Sequence, residues 1–293
     1  MTSLTDALAS HSPLLFDGAM GTMLQESGLT DGGSSELWNV EHGAAVADIH
    51  RGYLSAGARV ITTNTFGGTS SRLGMHSLED RVEELNHAAA ALARSVADEF
   101  GALVAGDIGP TGDLFEPLGA LTQDEAQAIF ELQLRGLSAG GIDLVLIETI
   151  SDLAEATAAV RAAQAVVPDV PILVTMSFDT KLRTMMGVSP SLAVTELGAL
   201  GVAAVGANCG RGPEEMEAIM ADMVAARPAG LLLIAQSNAG LPHVVGDHFE
   251  YDKSPADMAA HAVRLRDMGV ELIGSCCGST PAHTKAMAAA LLS

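Results

Sequence analysis

The stretch "DLVLIETISDLAEATAAVRAAQAVVPDVPILVTMSF" (residues 143–178) holds one unit of a pattern that recurs along this chain. Two runs within it, 143–149 and 171–178, are apolar at nearly every position rather than at alternate ones. Strands covered on both faces read this way. Between them, 151–167 is rich in Ala with apolar residues at helical spacing. The stretch therefore reads as strand, helix, strand, with a crossover long enough for the two strands to pair in parallel.

The same unit is found outward in both directions. Strand-like runs lie at 13–19, 58–66, 102–110, 143–149, 171–178, 203–209, 231–238 and 272–278. Helical stretches include 80–100, 122–140, 151–167 and 254–269. Several open on a capping residue followed by acidic groups: Thr122 with Asp124 and Glu125, Ser151 with Asp152, and Ser254 with Asp257. Gly140 and Gly269 read as stop signals. Eight such units predict an α/β fold, a (β/α)₈ TIM barrel, built as a single domain over residues 1–293. An open doubly wound sheet is the alternative; the count of eight and the absence of a composition shift favour the barrel.

The bulk properties exclude some function classes. Fifteen basic residues against 36 acidic ones give a net charge of −21, which repels nucleic acid and anionic membrane. No basic n-region precedes an apolar run at the start, and no stretch has the length and apolarity of a membrane span. Three cysteines cannot pair fully, which fits a reducing compartment, and a cytoplasmic location is expected.

In a barrel of this kind the active site is built at the C-terminal ends of the strands. Here those ends turn polar after apolar bodies: Asp17-Gly18, Thr63-Asn64-Thr65, Asp107, Glu148-Thr149, Asn208-Cys209, Gln236-Ser237-Asn238 and Cys276-Cys277. All three cysteines fall there, on the sixth and eighth runs. Adjacent cysteines seldom bridge each other, because disulfide geometry needs a Cβ separation that a trans peptide hardly permits. Two buried small hydrophobes would be the plain reading of the pair. Three thiolates converging on one point instead make a soft site suited to Zn²⁺, with a fourth position open. Gly274 and Gly278 would let one strand end deliver two ligands. A zinc already carrying three thiolates is a poor Lewis acid toward carbonyls, and suits instead a substrate thiol held as a thiolate nucleophile. Asp107 reads as a loop-bracing residue. His243 and His248 lie in the loop after the seventh run and read as solvated side chains. A barrel aldolase or isomerase would need a catalytic lysine or phosphate site; the strand ends offer no lysine, and Lys181 sits in a loop.

The strings "DGAMGTMLQ" (17–25), "TNTFGG" (63–68), "GDIGPTG" (106–112), "ETISD" (148–152), "GANCG" (206–210), "SNAG" (237–240) and "GSCCGSTPAH" (274–283) occur in that order. Together they resemble the zinc-dependent homocysteine S-methyltransferases, which include betaine–homocysteine methyltransferases and the homocysteine module of cobalamin-dependent methionine synthase. The resemblance runs from about residue 13 to residue 291. It implies a barrel that binds Zn²⁺ through Cys209, Cys276 and Cys277 and methylates the sulfur of homocysteine to give methionine. It further implies that Asp17 and Glu148 hold the substrate ammonium and that Asn238 takes or adjoins the fourth zinc position. Backbone N–H groups around Gly18-Ala19 are placed to receive the substrate carboxylate. Thr63 and Asn64 complete the expected substrate wall.

Betaine is the expected methyl donor. The alternatives are S-methylmethionine and a methyl-corrinoid carried by a partner protein; methylfolate also stays open. A quaternary ammonium favours an aromatic cage, for which Trp38, Phe66, Phe249 and Tyr251 are available. Gly67 and Thr149 stand where mammalian-type betaine enzymes carry cage tyrosines. A non-enzymatic homocysteine- or zinc-binding subunit is the other class of reading. A homo-oligomer is compatible with the sequence, since the family varies.

Overall fold

The computed structural model describes residues 3–29, 32–178, 181–245 and 248–292, with backbone alone for 244, 245 and 248–250. Eight parallel strands form one sheet: β1 (Leu14–Leu15), β2 (Val60–Thr62), β3 (Leu103–Ile108), β4 (Leu144–Ile150), β5 (Ile172–Met176), β6 (Ala204–Cys209), β7 (Leu232–Ser237) and β10 (Leu272–Ser275). Between β7 and β10 an antiparallel hairpin, β8 (Pro242–Val245) and β9 (His248–Tyr251), stands apart from this sheet. The strands follow one another in chain order, and β10 then pairs with β1. A single bridge, Phe16 to Val60, closes the remaining seam, with Asp17 N–H donating to the Val60 carbonyl at 3.0 Å. The sheet is thus a closed barrel, as expected, and not an open one.

Alternation along each strand divides the core in two. On β4, Leu144 and Leu146 join the barrel interior, with Leu14, Phe16, Val60, Leu173, Ile234 and Leu272. Val145 and Ile147 face outward into the layer between strands and helices, with Val174, Val205 and Leu233. Both faces are buried, which is why the runs read as continuously apolar. The first helix, Leu4–Ser10, starts with a capping box between Ser3 and Asp6. It sends Leu4 and Ala7 into the interior cluster and so plugs the N-terminal end of the barrel.

The expected caps are largely as read. Thr122 caps helix Gln123–Gly140 in a box with Glu125, and Ser254 caps Pro255–Asp267 with Asp257. For helix Leu153–Val166 the cap is Asp152, whose Oδ1 accepts the Ala154 N–H at 2.8 Å, rather than Ser151. No helix among the described residues is long and apolar enough to cross a membrane.

Candidate active site and metal centre

The C-terminal strand ends surround a cavity of about 270 Å³. Asp17, Gly18, Thr63, Asn64, Glu148, Cys209, Cys276 and Cys277 all line it. Asn238 does not. It lies behind the wall, where its Nδ2 donates to the Gly210 carbonyl at 2.7 Å and its Oδ1 is buried without a donor.

The three cysteines are brought together by local backbone choices. β6 ends at Cys209, which adopts a left-handed φ of 58° and is followed by Gly210 at 73°. Positive φ is uncommon outside glycine and clusters at functional sites. β10 ends at Ser275, so Cys276 and Cys277 lie just past the strand. The bend expected from two glycines comes from one: Gly278 has φ 77°, while Gly274 stays inside the strand, packed against Phe16. Two further hydrogen bonds fix the loops, from Cys276 N–H to the Ser237 carbonyl at 2.8 Å and from Ala239 N–H to the Cys277 carbonyl at 2.9 Å.

The thiols are free, and their sulfurs lie within 4.8 Å of one another. Cys209 and Cys276 Sγ are 3.0 Å apart, and Cys276 and Cys277 Sγ 3.9 Å. Such a group cannot keep three ordinary thiol protons. Hydrogen bonds from Cys209 and Cys276 pull Cys277 toward thiolate, while the other two stay protonated above the usual thiol range. Three soft donors at this spacing fit a thiophilic cation such as zinc, which would replace those protons.

Carboxylates line the same cavity as the sulfurs. Asp17 is 3% exposed and accepts from Thr62 N–H at 2.8 Å and Thr62 Oγ1 at 2.9 Å. Burial outweighs those bonds and pushes its carboxyl up to about 7. Glu148 is pushed up to about 8, by burial first and then by the charges of Cys277 and Asp17. The residue after it, Thr149, holds a left-handed φ of 60°. No Lys, Arg or His lines the cavity among the described residues. Gly18 is required by space: a Cβ there would lie 2.5 Å from Ser279 Oγ and 2.9 Å from the Tyr53 ring. The neighbouring Ala19 N–H, expected to be open to a substrate carboxylate, is instead donated to Ser279 Oγ at 3.0 Å.

Thr62 was not singled out by the sequence, and Asn208 and Tyr251 take positions at the site that it did not specify. Thr62 occupies both oxygens of Asp17. Asn208 accepts from Thr149 N–H and Thr175 Oγ1, each at 2.9 Å, and its Nδ2 donates to Thr149 Oγ1 at 2.7 Å and faces Cys209 Sγ at 3.5 Å. It ties three strands together behind one sulfur. Tyr251, at the end of the hairpin, lies against Gly278 and is pushed up to about 12, by burial first and then by the cysteines. Thr63 and Asn64 are braced as well as exposed to the cavity. Thr63 Oγ1 meets Thr65 Oγ1 at 2.7 Å, and Asn64 Nδ2 donates to the Ser35 carbonyl at 2.7 Å. His243 is exposed, 3.9 Å from Asp252. The side chains of His248 and Phe249 lie outside the described residues.

Comparison with known proteins identifies the family and the fold. A family model described as homocysteine S-methyltransferase matches residues 14–291. The chain belongs to the homocysteine S-methyltransferase family. Two methionine synthases resemble it over 99% of its length, that of Mycobacterium tuberculosis (strain ATCC 25618 / H37Rv) at 35% identity and that of Mycobacterium leprae (strain TN) at 33%. The chain covers 25% of the length of each. Among solved structures, the homocysteine methyltransferase MmuM from Escherichia coli in its oxidized form superposes with a TM-score of 0.83 at 25% identity, covering 98% of both chains. The metallated form of MmuM gives 0.81 at 24% identity, over 96% of this chain and 97% of that one. This family member thus shares the fold of MmuM over nearly its whole length.

Proposed function

We propose that this chain transfers a methyl group to the sulfur of homocysteine, with zinc held by Cys209, Cys276 and Cys277. One observation carries the reading: a cluster of three thiols and a set of buried carboxylates line one cavity. Homocysteine has the matching ends, a thiol for the soft site and an ammonium for the acids. Bound to the three sulfurs, zinc would lower the pKa of the substrate thiol and keep its sulfur available as a nucleophile. Asp17 and Glu148 bind the ammonium by charge-assisted hydrogen bonds and so fix where the sulfur lies. Thr62 keeps Asp17 oriented. Gly18 keeps the wall thin where the rest of the amino acid packs, and Thr63 and Asn64 close the side. Asn238 supports the loops that carry Cys209 and Cys277. The new C–S bond uses a sulfur electron pair; the donor atom keeps the pair of the bond that breaks, and the thiol proton leaves to solvent.

Betaine and a protein-borne methyl-corrinoid are supported by different features. For betaine, Phe66 lines the cavity and Tyr251 adjoins the cysteines. Trp38, however, is turned to His42, with ring centroids 4.4 Å apart. For a carrier protein, exposed apolar side chains gather in the loops after the strands: Met75, Leu114, Leu118, Met185, Met186 and Leu241. Such a rim suits a macromolecular surface better than a small cation. The likeness to one quarter of two methionine synthases points the same way. The test is to incubate zinc-loaded protein and homocysteine with betaine, S-methylmethionine, methyltetrahydrofolate or methylcobalamin in turn, and to measure methionine. Methionine from one donor identifies it. Tight homocysteine binding with no methionine from any of them favours a binding subunit.

A further inference from the structure

Asp107 was expected to brace a loop. In the structure its backbone is braced, but by other groups. Its N–H donates to Thr63 Oγ1 at 2.9 Å, and its carbonyl accepts from Thr65 Oγ1 at 2.7 Å and Gln133 Nε2 at 3.2 Å. The side chain takes no part in this. Asp107 is 4% exposed, lines the cavity, and its Oδ1 is buried without a hydrogen-bond donor. Leaving a buried acceptor unpaired costs roughly 1–3 kcal/mol, and more for a charged group. The carboxylate lines the same cavity as Asp17 and Glu148 and lies within reach of both their charges, so a cation bound there meets all three acids.

The character of that ligand follows from the rest of the wall. Gln236 Oε1 is a second buried acceptor without a donor on the same cavity. No cationic side chain lines the space. A positive charge must therefore come from outside. An ammonium brings one charge and three N–H donors. Asp17 has already accepted two hydrogen bonds from Thr62. We propose that Asp107 is a third ammonium-binding carboxylate, which with Asp17 and Glu148 gives each N–H of the substrate ammonium its own acceptor. The inference rests on the homocysteine reading above and adds the group that selects for an amino acid over a simple thiol. All three carboxyls are held above the usual range by burial, and Asp107 also by the charges of Glu148 and Asp17, a situation that an arriving cation relieves. A site built around hydrogen bonds to one polar group rejects analogues that lack it.

The test uses zinc-loaded protein and two ligands, homocysteine and γ-mercaptobutyrate, which keeps the thiol and carboxylate but has no ammonium. Calorimetric titration of Asp107→Asn should show homocysteine weakened roughly 10- to 100-fold. Its affinity for γ-mercaptobutyrate should be unchanged or improved, and its melting temperature should not fall. In turnover the same change should appear in KM rather than kcat. Asp107→Ser serves as a second variant. Equal weakening of both ligands, no weakening of either, or loss of folding in both variants would overturn the proposal. If the unaltered protein binds both ligands equally, the proposal fails while the thiol site stands. If it binds neither, the homocysteine reading fails and takes the proposal with it.

Discussion

The two ends of the same eight strands differ sharply. At the N-terminal end the interior is apolar and sealed: Leu14, Leu144, Leu173 and Leu272 are buried there, with Leu4 of the plugging helix across them. At the C-terminal end the interior positions become Asp107, Glu148, Asn208 and Gln236, and the cysteines follow. Buried acceptors there, on Asp107 and Gln236, have no donors. One end holds the barrel together, and the other keeps groups unpaired for a ligand. The division lets the chemistry change without changing the fold.

The largest effect should come from breaking the polar end alone. Cys276→Ser replaces a soft ligand with a hard one in a set of three. Zinc content and methionine formation should be lost together, while circular dichroism shows a folded barrel. The converse change is Leu272→Ala, at a fully buried interior position. Unfolding free energy should fall by about 2–5 kcal/mol in denaturant titration, because a cavity is left behind. Zinc stoichiometry and homocysteine affinity should stay as they were. If either variant damages both ends, the division is wrong.

A smaller effect lies in pH. The Asp17 carboxyl rises from 3.8 to about 7 on folding. Between those values the folded chain binds more protons than the unfolded one. This contribution to the stability of the substrate-free protein is full below 3.8, and it is lost as pH rises through about 7. Homocysteine binding runs the other way and strengthens across the same window, because the ammonium needs an ionised partner. Melting scans and titrations from pH 5 to pH 8 should show both slopes, and Asp17→Asn should make both shallower without abolishing them, because Glu148, held up to about 8, titrates in the same window.

Much of this was legible in the sequence, for identifiable reasons. Parallel strands buried on both faces leave continuous apolar runs, and eight of them suffice for the barrel. Cysteines are scarce enough that three at strand ends stand out. Other features left weaker traces. β1 is only two residues long, and the seam beside it closes through one bridge, so its run looks longer than the strand. The hairpin β8–β9 lies in a segment read as a loop, although a Gly-Asp pair between short runs is a hairpin signal. The Ala19 N–H looks free until Ser279, 260 positions away, is folded against it. The position of the Asp107 carboxylate on the cavity was hidden for a related reason. A buried aspartate at a strand end reads alike whether its carboxylate or only its backbone is engaged, and only the fold tells these apart.

The central claim is that one cavity binds a thiol at its sulfur end and an ammonium at its acid end. The most direct measurement is the number of sulfur ligands on zinc, by X-ray absorption, before and after homocysteine is added. The account predicts three protein sulfurs before addition and one more after it, with the gain weakened in Asp17→Asn and Glu148→Gln at limiting homocysteine. A sulfur count below three, or one that homocysteine leaves unchanged, would contradict it.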